Sequence, residues 1–126
     1  MHRLFLVAVA ALSFAVLGTR AIEQSKSEKR TYEADVAPIV STYCLPCHLA
    51  ENENPSGLHL DTYETMLKGG EKGVPIIAGK PEESFFYTKL TEEPPFGKRM
   101  PRGRKKMTPE EIEIIKEWIE QGALKK

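Results

Sequence analysis

The chain has 126 residues, enough for one small domain, and its 18 basic residues balance its 18 acidic ones. That balance argues against a nucleic-acid or membrane-surface binder, which would carry a basic excess. Its two cysteines lie within four positions of each other, so a disulfide scaffold is excluded as the source of stability.

Residues 4–17 (LFLVAVAALSFAVL) form a charge-free run behind His2 and Arg3. The run is shorter than the roughly 20 apolar residues that a membrane span needs. A basic start, a short apolar stretch and small residues after it describe a secretory signal peptide. The expected signal covers 1–21, with cleavage after Ala21 and export to the periplasm or an equivalent compartment. The rival reading is an uncleaved anchor, the one case in which the protein would touch a membrane. Cleavage would remove Arg3 and Arg20, leaving a small acidic excess. Residues 22–30 (IEQSKSEKR) are polar and read as a flexible lead-in to a domain spanning 31–126.

The first helix is expected from Asp35 to Cys44, with Asp35 as its cap and Pro38 tolerated in the first turn. Val36, Ile39, Val40 and Tyr43 recur at helical spacing and form its buried stripe. Residues 49–57 (LAENENPSG) read as a loop. A short helix then starts at Asp61, with Glu64 as capping-box partner, and Gly69-Gly70 end it. Its inner face carries Tyr63, Met66 and Leu67. Residues 74–78 (VPIIA) are apolar and extended. A third helix is expected over Pro81–Leu90, offering Phe85, Phe86 and Leu90 for burial. Residues 91–107 are rich in Pro, Gly, Lys and Arg and form a long irregular loop. The last helix has the strongest signature. Thr108 is the cap, Pro109 the first helical residue and Glu111 the capping-box partner. Ile112, Ile115, Trp118 and Ile119 make its apolar stripe, and Gly122 ends it. Strand signals are thin, so the expected class is all-α.

The first helix leads into Cys44-Leu45-Pro46-Cys47-His48, the attachment signature of a c-type haem. Two thiols at this spacing can add to the two vinyl groups on one porphyrin edge, and the next residue offers an imidazole to the iron. That imidazole must be neutral and oriented through its other nitrogen; the Pro55 carbonyl is a candidate acceptor. Three other readings compete. A structural zinc site would need two more ligands. A thioredoxin-like redox pair would need an alternating β and α pattern. A chance match is rare. One covalent haem c per chain is therefore expected, held by Cys44 and Cys47, with His48 as the proximal iron ligand.

The candidate distal ligand is Met100. A thioether suits ferrous haem and raises its potential, and Pro101 keeps the backbone at Met100 extended. Among the alternatives, Met66 fits a core gap-filler. Met107, just before the cap of the last helix, is expected to be partly exposed. His59 alternates with Leu58 and Leu60 and is expected to face solvent. Lys98, Arg99, Arg102, Arg104, Lys105 and Lys106 cluster around Met100. They read either as solvated surface or as a docking patch for an acidic redox partner.

These residues resemble small class I cytochromes c, and more closely the planctomycete-type cytochrome c domain, over about residues 32–123. The shared landmarks run in order. They are Val36-x-Pro38-Ile39, Cys44-x-x-Cys47-His48, Gly57-Leu58-x-Leu60-Asp61, Leu67-Lys68-Gly69-Gly70, Gly79-Lys80-Pro81-Glu82-Glu83-Ser84, Met100-Pro101 and Glu110-Glu111-Ile112 through Trp118 to Ala123. One departure is Leu49, where such domains often have Gly. The resemblance implies a helical fold wrapped around one covalent haem, with the ligand set just named. It also implies an electron-transfer protein rather than an enzyme, because six-coordinate iron leaves no site for substrate. The alternatives are a haem enzyme or a gas or peroxide sensor with a labile distal Met, or a haem-bearing subunit of a larger complex.

Overall fold

A computed structural model describes residues 28–103 and 105–126. The signal or anchor at 1–21, most of the lead-in and Arg104 lie outside the described residues. Within them the chain is helix-dominated, with no strand and one isolated bridge between Gly70 and Gly73. This agrees with an all-α class. None of the described helices is long and apolar enough to cross a membrane.

The first helical segment begins earlier than the sequence suggests. A π-helical turn covers Tyr32–Val36 and runs directly into α1, Ala37–Tyr43. Its cap is Thr31, whose hydroxyl accepts the Ala34 N–H at 3.3 Å. Asp35 is not the cap: its carboxylate accepts the Thr31 N–H at 2.8 Å and pairs with Arg30 at 3.1 Å. Helix α2, Tyr63–Lys68, is capped by Thr62 with Thr65 as the reciprocal partner, displacing the expected Asp61–Glu64 box by one residue. The expected helix over 81–90 is broken. A 3₁₀ turn at Pro81–Glu83 is separated from α3, Phe85–Thr88, by Ser84 in an extended conformation. The buried Ser84 hydroxyl accepts the Ile77 N–H and donates to the Lys80 carbonyl, each at 2.8 Å. Helix α4, Pro109–Glu120, has the cap and the capping box expected of it.

The core sits where the π-helical turn at 32–36 meets α4. Val36, Val40, Met66, Ile115, Trp118 and Ile119 are fully buried. Tyr32 packs between Tyr63 and Trp118, with ring centroids 5.3 and 6.1 Å away. In 74–78, Pro75 and Ile76 turn inward, while Val74 and Ile77 face solvent.

After α4 the chain reverses at Gly122, whose φ of 103° suits a residue without a side chain. The tail then serves as an acceptor rail. Leu124 O takes the Trp118 Nε1–H and the Tyr32 N–H, both at 2.9 Å. Lys125 O takes the Glu33 N–H at 3.1 Å, and Ala123 O takes the Tyr63 hydroxyl at 2.8 Å. The beginning of the fold, α2 and α4 are thereby joined through a few backbone carbonyls.

Candidate cofactor site

Helix α1 ends at Cys44, whose N–H still donates to Val40 O at 2.9 Å. Pro46 forces a turn, and the chain closes on itself: His48 N–H donates to Cys44 O at 3.1 Å and Leu49 N–H to Pro46 O at 3.2 Å. Asn52 Nδ2 also donates to Pro46 O at 2.5 Å. The backbone of His48 is held on its other side too, because its carbonyl accepts the Leu60 N–H at 2.8 Å.

The His48 ring has a defined orientation. Its Nδ1 lies 2.8 Å from Leu58 O. A carbonyl only accepts, so this contact calls for the hydrogen on Nδ1, leaving Nε2 with its lone pair; the Asn54 amide nitrogen stands 2.9 Å from the same Nδ1 and competes for it. Asn54 reinforces this acceptor, donating its own amide N–H to Leu58 O at 2.6 Å. The Asn54 side-chain oxygen is fixed in turn by the N–H and hydroxyl of Ser56, at 3.0 and 2.7 Å. The orienting carbonyl is thus Leu58, not Pro55. Gly57, with φ of 60°, lets the chain turn so that Leu58 O points back at the ring.

Cys44, Cys47, His48 and Met100 all line one predominantly apolar cavity of about 420 Å³, within the usual range for cofactor and ligand pockets. Leu58, Leu60, Phe86 and Leu90 supply much of its apolar wall. Both cysteines are free thiols; Cys44 is half-buried and Cys47 exposed. Burial pushes the Cys44 thiol up to about 12, and the neighbouring Cys47 adds to the shift. Among the described residues no three His, Cys, Asp or Glu side chains gather into a metal-binding group.

The 91–107 stretch is irregular, as expected, yet it is tethered from α3 and the residues after it. Met100 N–H donates to Lys89 O at 2.8 Å, and Arg99 Nε donates to Leu90 O at 2.7 Å while its guanidinium pairs with Glu92. Lys89 is buried. Its ammonium donates to the carbonyls of Phe96 and Lys98 and sits 4.7 Å above the Phe96 ring. Burial pulls this ammonium below the ordinary lysine range, and Arg102 pushes the same way. Lys98, Arg102, Lys105 and Lys106 are exposed. Lys105 lies 5.0 Å from the ring centre of Tyr43, whose hydroxyl donates to the Glu111 carboxylate at 2.7 Å.

Two side chains depart from expectation. Met107 is buried and lines the cavity alongside Met100. His59 is half-buried rather than solvent-facing. Its Nδ1 is enclosed without a hydrogen-bond partner, and it is not part of the cavity wall. Met66 is fully buried in the core, away from that wall. Sequence reasoning missed Lys89, Leu58 and Asn54 as contributors. Their roles arise from backbone carbonyls that no side-chain motif advertises.

Residues 44–102 match the family model described as Planctomycete cytochrome C. No curated protein and no solved structure matches the chain. A domain of this kind implies haem c as cofactor, and the residues present fit that group. Two free thiols, an imidazole anchored through Nδ1 and a thioether border one apolar cavity.

Proposed function

We propose, from the match of residues 44–102 to the planctomycete cytochrome c family model, that the protein is an exported monohaem electron carrier. In this reading the Cys44 and Cys47 thiols hold one haem c covalently, His48 Nε2 is the proximal iron ligand and Met100 Sδ the distal one. Bound there, haem c supplies a one-electron couple at its iron.

The chain's own residues do the rest. His48 keeps its Nδ1 hydrogen on Leu58 O, which fixes the tautomer and makes Nε2 the ligating atom. The apolar wall from Leu58, Leu60, Phe86 and Leu90 excludes water, favouring a soft thioether at Met100. The basic residues at 98–106 offer a docking face to redox partner proteins of acidic character. The charge-free run at 4–17 favours export.

The observation that carries the reading is the convergence of Cys44, Cys47, His48 and Met100 on a single cavity, with the His48 ring held from behind. Mass spectrometry of protein made with a haem c maturation system should show one haem adduct per chain. The double variant C44A/C47A should show none. A mature chain at apoprotein mass would overturn the assignment.

A further inference from the structure

Met100 sits on a loop with no regular structure of its own, yet that loop is fixed at three backbone groups by one residue. Lys89 O accepts the Met100 N–H at 2.8 Å. The Lys89 ammonium donates to the carbonyls of Phe96 and Lys98, so the chain just before Met100 curls over a cation. The Phe96 ring covers that cation at 4.7 Å and meets Phe85 edge-on at 5.7 Å. Lys89 is only 9% exposed, and its partners are carbonyls rather than a carboxylate. An ammonium buried in a mostly apolar wall is costly unless it is fully hydrogen-bonded. An apolar side chain of the same length would fill the space without that cost, so what the ammonium adds is its grip on the loop.

We propose that Lys89 is a positioning residue that holds the Met100 loop closed over the cavity and keeps the Met100 thioether at the iron. The role rests on Met100 being the distal ligand. Lys89 touches neither the thioether nor the iron by this account. It acts through the backbone leading into Met100, holding the carbonyls of Phe96 and Lys98 with its side chain and the Met100 N–H with its carbonyl. Removing the ammonium leaves the carbonyl bond and the packed stem in place. It frees the carbonyls of Phe96 and Lys98, and the loop should open more often.

The test compares haem-loaded wild type, K89M, K89R, F96L and M100A in the ferric state. Imidazole is the probe, because it binds iron only when the distal ligand has left. Its apparent affinity scales with the population of the open form, so K89M should bind about tenfold more tightly or better than wild type, and K89R within about threefold of it. K89M should also speed hydrogen exchange at the Met100 amide relative to core amides. A purely structural lysine would lower overall stability and leave both readouts at wild-type values. Such values in K89M, alongside tight binding by M100A, would overturn the proposal. Should K89M fail to accumulate, F96L removes the ring from the same brace. A rise in imidazole affinity there supports the role, and a wild-type affinity overturns it. If M100A itself binds imidazole no better than wild type, then Met100 is not the ligand, and that reading fails with the Lys89 role behind it.

Discussion

Three methionines in this chain have the same side chain and three different fates, and the difference lies in what surrounds each sulfur. Met66 is enclosed by the core. Truncating it to Ala should cost about 2–5 kcal/mol in stability and leave the ligand-field spectrum unchanged. Met100 borders the cavity on a tethered but irregular segment. M100A should yield high-spin haem and a lower potential, since loss of a soft ligand disfavours ferrous iron. Met107 shares that cavity wall, so M107A should loosen packing next to the cofactor while keeping the ligand set. Spectra and denaturation curves of the three variants separate these outcomes. A wild-type spectrum for M100A would refute the distal assignment. The burial of Met66 was readable from the sequence because it lies in an amphipathic helix, and the irregular backbone at Met100 because a proline follows it. The burial of Met107 was not, because it depends on the cavity wall it joins, which is assembled from residues distant in the chain. The carbonyl behind His48 escaped for a related reason: it lies ten residues along, and only the turn at Gly57 brings it round.

At the scale of elements, α4 was readable in full and α3 was not. Thr108, Pro109 and Glu111 specify the start of α4 through local bonds alone, and each is made. The break at Ser84 comes instead from a hydroxyl reaching back to Ile77, seven residues away, and no local propensity announces it. The α2 cap lies between these cases: Asp61 and Thr62 are both good caps, and Thr62 is the one that finds a reciprocal partner, in Thr65. The start of α4 also carries a pH dependence. The Thr108 N–H bond, followed by the Tyr43 hydroxyl, holds the Glu111 carboxyl below its ordinary value of 4.5. A depressed carboxylate contributes stability that is complete above the ordinary value and is lost as pH falls through the lower, folded one. Acid titration of stability should therefore be steeper for wild type than for E111Q below about pH 4.5. At neutral pH, T108A should cost about 1 kcal/mol by removing the cap. Parallel acid curves for wild type and E111Q would show that the carboxylate does not carry this dependence.

The whole molecule is close to neutral, yet its charge is unevenly placed. Exposed cations at Lys98, Arg102, Lys105 and Lys106 lie along the segment that carries Met100, while Arg99 is tied to Glu92. If this face receives an acidic redox partner, the second-order rate of electron transfer should fall as salt rises, because exposed charges are screened beyond about 8 Å at physiological ionic strength. Charge reversal at Lys105 and Lys106 should flatten the salt dependence without altering the spectrum. A rate indifferent to salt would leave these residues as solvated surface.

The carbonyl rail at 123–125 has a consequence for how the domain can be used. Glu33 bonds to Lys125, and Gln121 Nε2 donates to the Glu28 carbonyl at 3.1 Å. Entry and exit therefore occupy one spot on the surface. A domain whose ends meet can be strung on a longer polypeptide as a bead, or spliced into a surface loop of another protein, without re-routing the chain on either side.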